Sequence, residues 1–464
     1  MSEQLLWAPQ AWVDGGWQQQ VLLGVGASGH WSSVTPGVAA APPAARILGG
    51  PVLPGLVNAH SHAFQRAFAG LSERRTSDTD DFWSWRDRMY GVALRITPEQ
   101  MQTVAAQLYL ELLRGGYTQV CEFHYLHHDI DGTPYTDPAT MCRSVAQAAQ
   151  HTGIGLTLLP VLYERAGFAQ AGLRDDQRRF RSSPALVDSL ANSVQAMALP
   201  RTNAGVAVHS LRAASGASIK QLQRLRDAQD GPIHIHVAEQ TQEVDDCLSS
   251  TGARPIDWLC QEFTPDSRWQ LVHATHATRS EIDSVARSGA GIVICPSTEG
   301  NLGDGLTDLP HWLASGVPMA IGSDSHVTRN WPEELRWLEY GQRLQLRQRN
   351  VAAVPALGQP ATAAWLFNAA LAAGAGCAGH SAWGLVEGAR ADALVLDPAA
   401  GPLLGLPGSH VLDALVFAGG EPVFHEIMVA GEVVLRGGQH MRQAQIADDF
   451  SATMHDLWAS DGVE

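Results

Sequence analysis

Two histidines separated by a single residue point most directly to chemistry in this sequence. His60 and His62 close an apolar run in the segment 58–62, which reads NAHSH. Side chains at i and i+2 of a β-strand point to the same side, so both imidazoles could bind one metal ion. The alternative is a pair of polar residues at the end of a strand. Histidine or carboxylate residues at the ends of other apolar segments would favour the metal site.

Histidine and carboxylate residues do follow other apolar segments of the chain. They are His236 and Glu239 in HIHVAE at 234–239, His273 after 270–272, and Asp324 in GSDSH at 322–326. Nitrogen and oxygen ligands of this kind are typical of zinc or iron hydrolase sites. His234 faces the same way as His236, but His236 lies nearer the end of its strand. The predicted ligands of one divalent ion are His60, His62, His236 and Asp324.

Apolar segments alternate with amphipathic ones from about residue 56 to residue 350, as consecutive βα units do. Eight strands are predicted, at 55–62, 118–125, 154–163, 205–210, 232–239, 270–275, 289–297 and 317–325. Their ends carry polar or reactive residues, namely His62, Tyr125, Tyr163, His209, Glu239, His273, Ser297 and Asp324. Because a (β/α)8 barrel builds its active site where strand C-termini meet, the pattern predicts this barrel.

Short β segments flank the predicted barrel on both sides. Residues 1–52 alternate in hydropathy before the turn-forming GGPVLPG at 49–55, and glycine-bounded apolar segments return at 388–397 and 426–434. We expect these two parts to pair with each other. The predicted organisation is a TIM-like barrel domain over 53–377 and a small β-sandwich domain formed by 1–52 and 378–464.

Composition narrows the class of protein. The 464 residues are 45% hydrophobic and 17% charged, which is typical of a globular protein, and the first residues lack a secretory signal. We therefore expect a cytoplasmic protein without a membrane span. A net charge of −16 disfavours nucleic acid and anionic membranes as partners, so an anionic substrate must be held by local arginines. The six widely spaced cysteines predict reduced thiols.

The predicted ligands, Glu239, His273 and the flanking β segments together resemble the amidohydrolase superfamily, in particular its deaminase branch. The resemblance extends over nearly the whole chain. Four motifs narrow the resemblance to formimidoylglutamate deiminases of histidine degradation: PGLVNAHSHAFQR at 54–66, FWSWR at 82–86, EFHY at 122–125 and HSLR at 209–212. The resemblance implies zinc-dependent hydrolysis of N-formimidoyl-L-glutamate to N-formyl-L-glutamate and ammonia. It also suggests a homodimer. The substrate-binding residues that it implies are Gln65, Arg86, Tyr125, His209 and Arg212.

Binuclear relatives bridge two ions with a carboxylated lysine, but Lys220, the only lysine, lies in an amphipathic helical stretch. We therefore predict one ion. A divalent ion lowers the pKa of a bound water, Asp324 would take the proton as base, and Glu239 would protonate the leaving nitrogen. His273 would orient the nucleophile and stabilise developing charge. As alternatives, Glu239 could support a metal-bound histidine and His273 could be a further ligand.

Two other functions remain open from the sequence. One is a superfamily deaminase that acts on a purine, pyrimidine or triazine ring, which would need stacking partners rather than two arginines. The other is a non-catalytic barrel that serves as a binding or assembly module, which would have no reason to keep ligands, acid and base together. No separate role follows from the sequence for His124, His127 and His128, which crowd the end of the second strand.

Overall fold

The computed structural model describes residues 3–74, 82–420 and 423–459, and within them every side chain except those at 82–84, 87 and 357. Part of the FWSWR motif therefore lies outside the described side chains. The strands are β1 Gln4–Val13, β2 Gly16–Val25, β3 Trp31–Thr35, β4 Arg46–Ile47, β5 Val52–Leu53, β6 Leu56–Ser61, β7 Tyr117–His124, β8 Gly155–Leu162, β9 Thr202–Ala204, β10 Val206–Ser210, β11 Ile233–Val237, β12 Trp269–His273, β13 Gly291–Ile294, β14 Met319–Ile321, β15 Ala393–Leu396, β16 Phe424–Val429, β17 Glu432–Arg436 and β18 Gln439–His440.

The α-helices alternate with the central strands and continue towards the C-terminus. They are α1 Phe82–Ala93, α2 Pro98–Arg114, α3 Thr140–Thr152, α4 Pro184–Ala196, α5 Gly216–Arg226, α6 Thr241–Thr251, α7 Pro255–Phe263, α8 Arg279–Ser288, α9 Pro296–Leu302, α10 Leu309–Ser315, α11 Trp331–Leu346, α12 Thr362–Ala378, α13 Val411–Phe417 and α14 Gln443–Trp458. Short 3-10 turns lie at Ala63–Ala67, Asp175–Phe180, Pro355–Leu357, Gly401–Leu403 and Gly408–His410.

The central sheet is a parallel barrel. Its strands follow the order β6-β7-β8-β10-β11-β12-β13-β14, and β9 adds to β8. The first and eighth strands meet through a bridge between Ser61 and Asp324, where the Asp324 N–H donates to the His60 carbonyl at 3.0 Å. All eight predicted strands are present, and the predicted barrel is confirmed. The observed strands are shorter at several C-terminal ends, because the chain there turns into the loops that carry polar residues.

The barrel strands are buried on both faces, which explains their nearly continuous apolar sequences. Every residue of β6, β7, β8, β11 and β12 is buried. Side-chain caps begin several of the surrounding helices. Thr97 and Gln100 form a capping box at α2, and Thr278 with Glu281 forms another at α8. These local signals fix where helices begin, whereas burial fixes the strands.

A second, mixed sheet joins the two ends of the chain. Its strands follow the order β18-β17-β16-β15-β5-β1-β2-β3, with β4 beside β1, and they hydrogen-bond as one continuous sheet around a separate apolar core. The pairing of N-terminal β5 with C-terminal β15 confirms that the two flanking β units combine. Arg390 connects this sheet to the barrel, because its guanidinium donates to Gln119 Oε1 at 2.7 Å and to the Thr118 carbonyl at 3.1 Å.

The limits 1–52, 53–377 and 378–464 stay predictions. Helices α13 and α14 lie within the last segment, yet they pack against the barrel helices α11 and α2. The cysteines are free thiols, as predicted, and none forms a disulfide among the described residues. Among the helices described here, none combines the length and the apolar character that a bilayer crossing would need.

Candidate active site

Four side chains from three barrel strands meet at the C-terminal mouth. His60 Nε2 lies 3.1 Å from His62 Nε2 and 2.9 Å from His236 Nε2. Asp324 Oδ1 lies 3.4 Å from His60 Nε2 and 3.3 Å from His62 Nε2. The structure therefore gathers the four predicted ligands around His60, and all four are buried. The ligand atoms of His60, His62 and Asp324 lie within 4.8 Å of one another, whereas His236 joins His60 in a second set with His273.

These distances fit a single divalent ion. Ligand atoms at 2.0–2.1 Å from a tetrahedral ion lie about 3.3 Å from one another, close to the separations in the cluster. Two of the histidines also have the required tautomer fixed by the backbone. His62 Nδ1 is 3.0 Å from the Phe123 carbonyl oxygen, and His236 Nδ1 is 3.0 Å from that of His209. Each Nδ1–H donates to a carbonyl, which leaves the Nε2 lone pair directed into the cluster.

The electrostatics of the cluster agree with metal binding. Burial lowers the pKa of His60 to about 3, although the hydrogen bond to Asp324 opposes that shift. Burial also holds the pKa of His236 well below its usual range. Burial opposes ionisation of Asp324, but the neighbouring imidazoles of His60 and His62 outweigh it and keep the pKa of Asp324 well below the ordinary value. The site therefore offers neutral imidazoles and an ionised carboxylate, which are the forms that bind a cation.

Backbone details hold the ligands in place. A Cβ at Gly322 would lie 2.7 Å from the Cβ of His60, so only glycine allows this close approach. The Asn58 amide exchanges hydrogen bonds with Ser323 at 2.7 Å and 2.9 Å, which ties β6 to the loop after β14. Asp324 has a φ of 46°, a left-handed conformation that is uncommon for a side chain of this type and is concentrated at functional sites.

His273 lies between carboxylates beside the ligand cluster. Its Nε2 is 3.7 Å from Glu239 Oε1 and 3.8 Å from Asp324 Oδ2, and its Nδ1 is 3.3 Å from Glu299 Oε1. Burial disfavours the imidazolium, but these carboxylates raise the pKa of His273 to about 10. Burial also raises the pKa of Glu239 above its usual range. A cationic imidazole and a carboxyl that can hold a proton thus lie side by side.

The distances around His273 bear on the alternative in which it is a further metal ligand. His273 and His236 with His60 can place ligand nitrogens within 4.8 Å of one another, and so can His273 and Asp324 with the Cys295 thiol. The bonds to Glu299 and the neighbouring carboxylates favour a protonated His273, which has no lone pair for a metal. We therefore keep His273 outside the predicted ligand set.

Besides Glu299, which contacts His273, sequence reasoning missed two carboxylates that support the site. Glu243, in the first turn of α6, accepts the N–H of Ala238 at 3.2 Å and that of Glu239 at 3.1 Å. Glu122 of β7 accepts the Ser61 hydroxyl at 2.8 Å and the Ala63 N–H at 2.5 Å, and so fixes both sides of His62. A signal existed for each, because Glu122 belongs to the EFHY motif and Glu243 follows Glu239 by four residues.

A cavity opens from the metal ligands towards residues on the surrounding loops and on α1. The predicted substrate-binding residues Gln65, Arg86, Tyr125, His209 and Arg212 all line it, together with His62, His236, Glu239, His273 and Asp324. Gln65 Nε2 donates to the Tyr125 hydroxyl at 3.2 Å. Burial lowers the pKa of Arg86, and Arg212 adds to that shift as a nearby like charge. The cavity therefore has a metal-ligand end and an end with two guanidinium groups.

Two histidines that follow β7, His127 and His128, have backbone partners outside this cavity. His127 Nε2 is 3.0 Å from the Val161 carbonyl oxygen, and His128 Nε2 is 2.7 Å from that of Arg181. The ring of His124 packs edge-on against His127 with centroids 5.8 Å apart. Arg179, which is fully buried, donates to the His128 carbonyl at 2.9 Å. These contacts stabilise the loop after β7 rather than the site.

Known proteins resemble the chain over nearly its full length. Residues 52–434 match the amidohydrolase family. A formimidoylglutamate deiminase of Pseudomonas aeruginosa is 44% identical over 453 residues, which cover 97% of this chain and 99% of that protein. The crystal structure of an amidohydrolase from Brucella melitensis is 40% identical with a TM-score of 0.93, and the match covers 98% of this chain and 99% of that one.

A more distant solved structure shares the fold alone. It is an adenosine deaminase from Xanthomonas campestris with bound zinc, which is 22% identical with a TM-score of 0.80 and is covered over 98% of both chains. The resemblance inferred from the sequence motifs is thus confirmed by the family match and by two relatives at 40% identity or more. The chain is a hydrolase, and it belongs to the amidohydrolase family.

Proposed function

We propose that this chain is a zinc-dependent formimidoylglutamate deiminase, which hydrolyses N-formimidoyl-L-glutamate to N-formyl-L-glutamate and ammonia. The observation that carries the proposal is the single cavity that the predicted metal ligands His62, His236 and Asp324 line together with Arg86 and Arg212. The high identity to the Pseudomonas aeruginosa deiminase supports the same substrate. We place the reaction in histidine degradation and in the cytoplasm.

The guanidinium end suits the glutamate portion of this substrate. Formimidoylglutamate carries two carboxylates, and a protein with a net charge of −16 must offset its own field to bind them. Arginine makes charge-assisted and often bidentate hydrogen bonds to carboxylates. We assign the clamp to Arg86 and Arg212, with hydrogen bonds from Gln65 and Tyr125. His209, whose pKa burial holds well below the usual range, contributes a neutral imidazole to this wall.

The metal-ligand end suits the formimidoyl group. His60, His62, His236 and Asp324 would hold the zinc ion, which supplies a Lewis acid that makes water a nucleophile near neutral pH. The donor set contains nitrogen and oxygen only, and the adenosine deaminase that shares the fold was solved with zinc. We therefore assign zinc and a single ion.

The protein groups around this end can move the protons that the reaction requires. Asp324 Oδ2 faces His273 rather than the other imidazoles, and it accepts a proton from the attacking water. The water oxygen bonds to the formimidoyl carbon, and the bond from this carbon to the terminal nitrogen breaks. Glu239 Oε1, on the other side of His273 Nε2, delivers its proton to that nitrogen, and the proton that Asp324 took from the water follows. The NH group gains both protons and leaves as ammonia, and the remaining hydroxyl proton returns Glu239 to its protonated form. The His273 N–H stabilises the negative charge that develops on oxygen.

The identity of the leaving nitrogen follows from the anchoring of the substrate. The glutamate-bearing nitrogen is tied to the arginine end through the carboxylates. The terminal nitrogen is free to approach Glu239. Ammonia and N-formylglutamate are therefore the expected products, and formamide and glutamate are not.

Product analysis tests this assignment. The purified zinc enzyme is incubated with formimidoylglutamate, and the products are followed by NMR together with an ammonia assay and metal analysis. Formamide in place of ammonia would reject the deiminase. Turnover of purine, pyrimidine or triazine substrates without turnover of formimidoylglutamate would instead support a ring deaminase.

A further inference from the structure

A buried glutamine connects two tyrosines at the arginine end of the cavity. Gln177 lies in the turn Asp175–Phe180 and is fully buried. Its Nε2 donates to the Tyr90 hydroxyl at 3.1 Å and to the Tyr163 hydroxyl at 3.0 Å. Both tyrosines line the cavity, and the guanidinium of Arg86 lies 5.6 Å from the centroid of the Tyr90 ring. Three separate elements thus form one hydrogen-bonded group next to the clamp.

The orientation of the glutamine amide is fixed by the backbone. Gln177 Oε1 accepts the N–H of Arg174 at 3.1 Å. A backbone N–H can only donate, so the amide oxygen must face Arg174. The amide NH2 group then faces the tyrosines, and its two hydrogens match the two hydroxyl oxygens. The reverse orientation would set donor against donor at Arg174.

This bonding pattern determines the direction of the hydroxyl hydrogens. Each tyrosine oxygen accepts a hydrogen bond from Gln177, so neither O–H can point back towards the amide. At most one of the two O–H groups is used between Tyr90 and Tyr163 themselves. At least one O–H donor is therefore not used within this group, and it belongs to a residue that lines the cavity. Burial raises the pKa of Tyr163 above its ordinary value, which keeps its hydroxyl protonated.

We propose that Tyr163 and Tyr90 are specificity-determining residues that donate a hydrogen bond to a substrate carboxylate beside Arg86 and Arg212, and that Gln177 is the positioning residue that keeps them donors. This inference rests on the proposed function and names the chemistry of the same site. A carboxylate has four lone-pair positions and no hydrogen, so a fixed O–H donor favours it over groups that also donate. The tyrosines would thus select a dicarboxylate such as glutamate.

Two substitutions separate this role from a packing role. Tyr163→Phe removes one oxygen and keeps the ring, which packs on His209 with centroids 4.3 Å apart. Gln177→Glu keeps the size and the bond to Arg174, but a carboxylate would accept from both tyrosines and turn their O–H groups away from the cavity. The matched control is Tyr135→Phe, since the Tyr135 hydroxyl accepts from Arg179 at 3.3 Å outside the cavity.

The measurements use the metal-loaded enzyme. KM and kcat are determined for formimidoylglutamate, and the affinity for glutarate, a dicarboxylate without the amidine, is measured by calorimetry. Loss of a hydrogen bond to a charged group corresponds to about a 10- to 150-fold change in affinity. We expect a rise within that range in KM and in the glutarate Kd for both variants, with kcat and metal content near those of the parent. Tyr135→Phe should change neither.

The double variant tests the coupling between the residues. If Gln177 acts through the tyrosine donors, adding Gln177→Glu to Tyr163→Phe should cost less than it costs in the parent. Unchanged KM and glutarate Kd in both single variants would overturn the inference, and so would fully additive effects. Weaker glutarate binding in the variants of an enzyme that does not turn over formimidoylglutamate would keep the carboxylate site and reject the proposed function.

Discussion

Glu243 offers a sharp test of how the site holds its proposed acid. Its carboxylate is buried and accepts the backbone N–H groups of Ala238 and Glu239 at 3.2 Å and 3.1 Å. Ala238 has a φ of 52°, a left-handed conformation that costs on the order of 1–3 kcal/mol outside glycine. The two hydrogen bonds offset this cost and fix the backbone that carries the Glu239 side chain, two residues after the end of β11.

Glu243→Gln should weaken this arrangement without changing the size of the side chain. An amide has one accepting oxygen, so one of the two N–H groups would face an NH2 donor and lose its partner. A hydrogen bond to a charged group contributes about 1.5–3 kcal/mol, and the free energy of unfolding should fall by about that amount. Since a small misplacement of a catalytic group can cost about 100-fold in rate, we expect kcat to fall by roughly 10- to 100-fold.

The assay is the rate of ammonia release from formimidoylglutamate at saturation, measured beside thermal unfolding and metal content. KM should stay within a few-fold, because Arg86 and Arg212 are not altered. Glu262→Gln is the matched control, since Glu262 forms a half-exposed ion pair with Lys220 at 2.8 Å, which is worth about 0–1 kcal/mol. A Glu243→Gln enzyme that is less stable but has the parent kcat would refute the positioning role.

Four other predictions can be checked with the same preparation. Elemental analysis should find about one divalent ion per chain, and chelation should remove it together with activity; two equivalents at full activity would contradict a single site. Asp324→Asn should abolish turnover and weaken metal retention, whereas Glu239→Gln should keep the metal and lose about 10²- to 10⁴-fold in kcat, which steady-state kinetics and metal analysis would separate. Arg86→Met and Arg212→Met should each raise KM by roughly 10- to 150-fold with the metal still bound, and unchanged KM values in both would place the carboxylates elsewhere. Burial and the charge of Glu239 raise the pKa of Asp304 to about 9. The protonated form of Asp304 therefore stabilises the fold fully below the ordinary pKa of an aspartate, and this stability is lost as pH rises through about 9. The melting temperature of Asp304→Asn should therefore rise relative to that of the parent between about pH 5 and pH 9. A constant difference between the two melting temperatures over this range would contradict the prediction.

Much of the fold and of the metal site follows from the sequence, because both have a short-range signature. Strands buried on two faces must be nearly continuously apolar, and parallel strands in a barrel must all end at one mouth. His60 and His62 share a strand face because side chains repeat every two residues. Once the strand ends are placed, His236 and Asp324 have to lie near them. In the structure, His236 lies 2.9 Å from His60, and Asp324 lies 3.4 Å from His60 and 3.3 Å from His62.

The tertiary structure alone decided which groups support those residues. Gln177 lies 87 residues from Tyr90 and 14 from Tyr163, and Glu122 lies 61 residues from Ser61, so no local pattern relates these partners. The packing of α14 on α2 joins elements that are still more remote in sequence. Hydrophobic periodicity records only which face of an element is buried. The partner that satisfies a buried polar group depends on how whole elements pack, and that is fixed only when the chain has closed on itself.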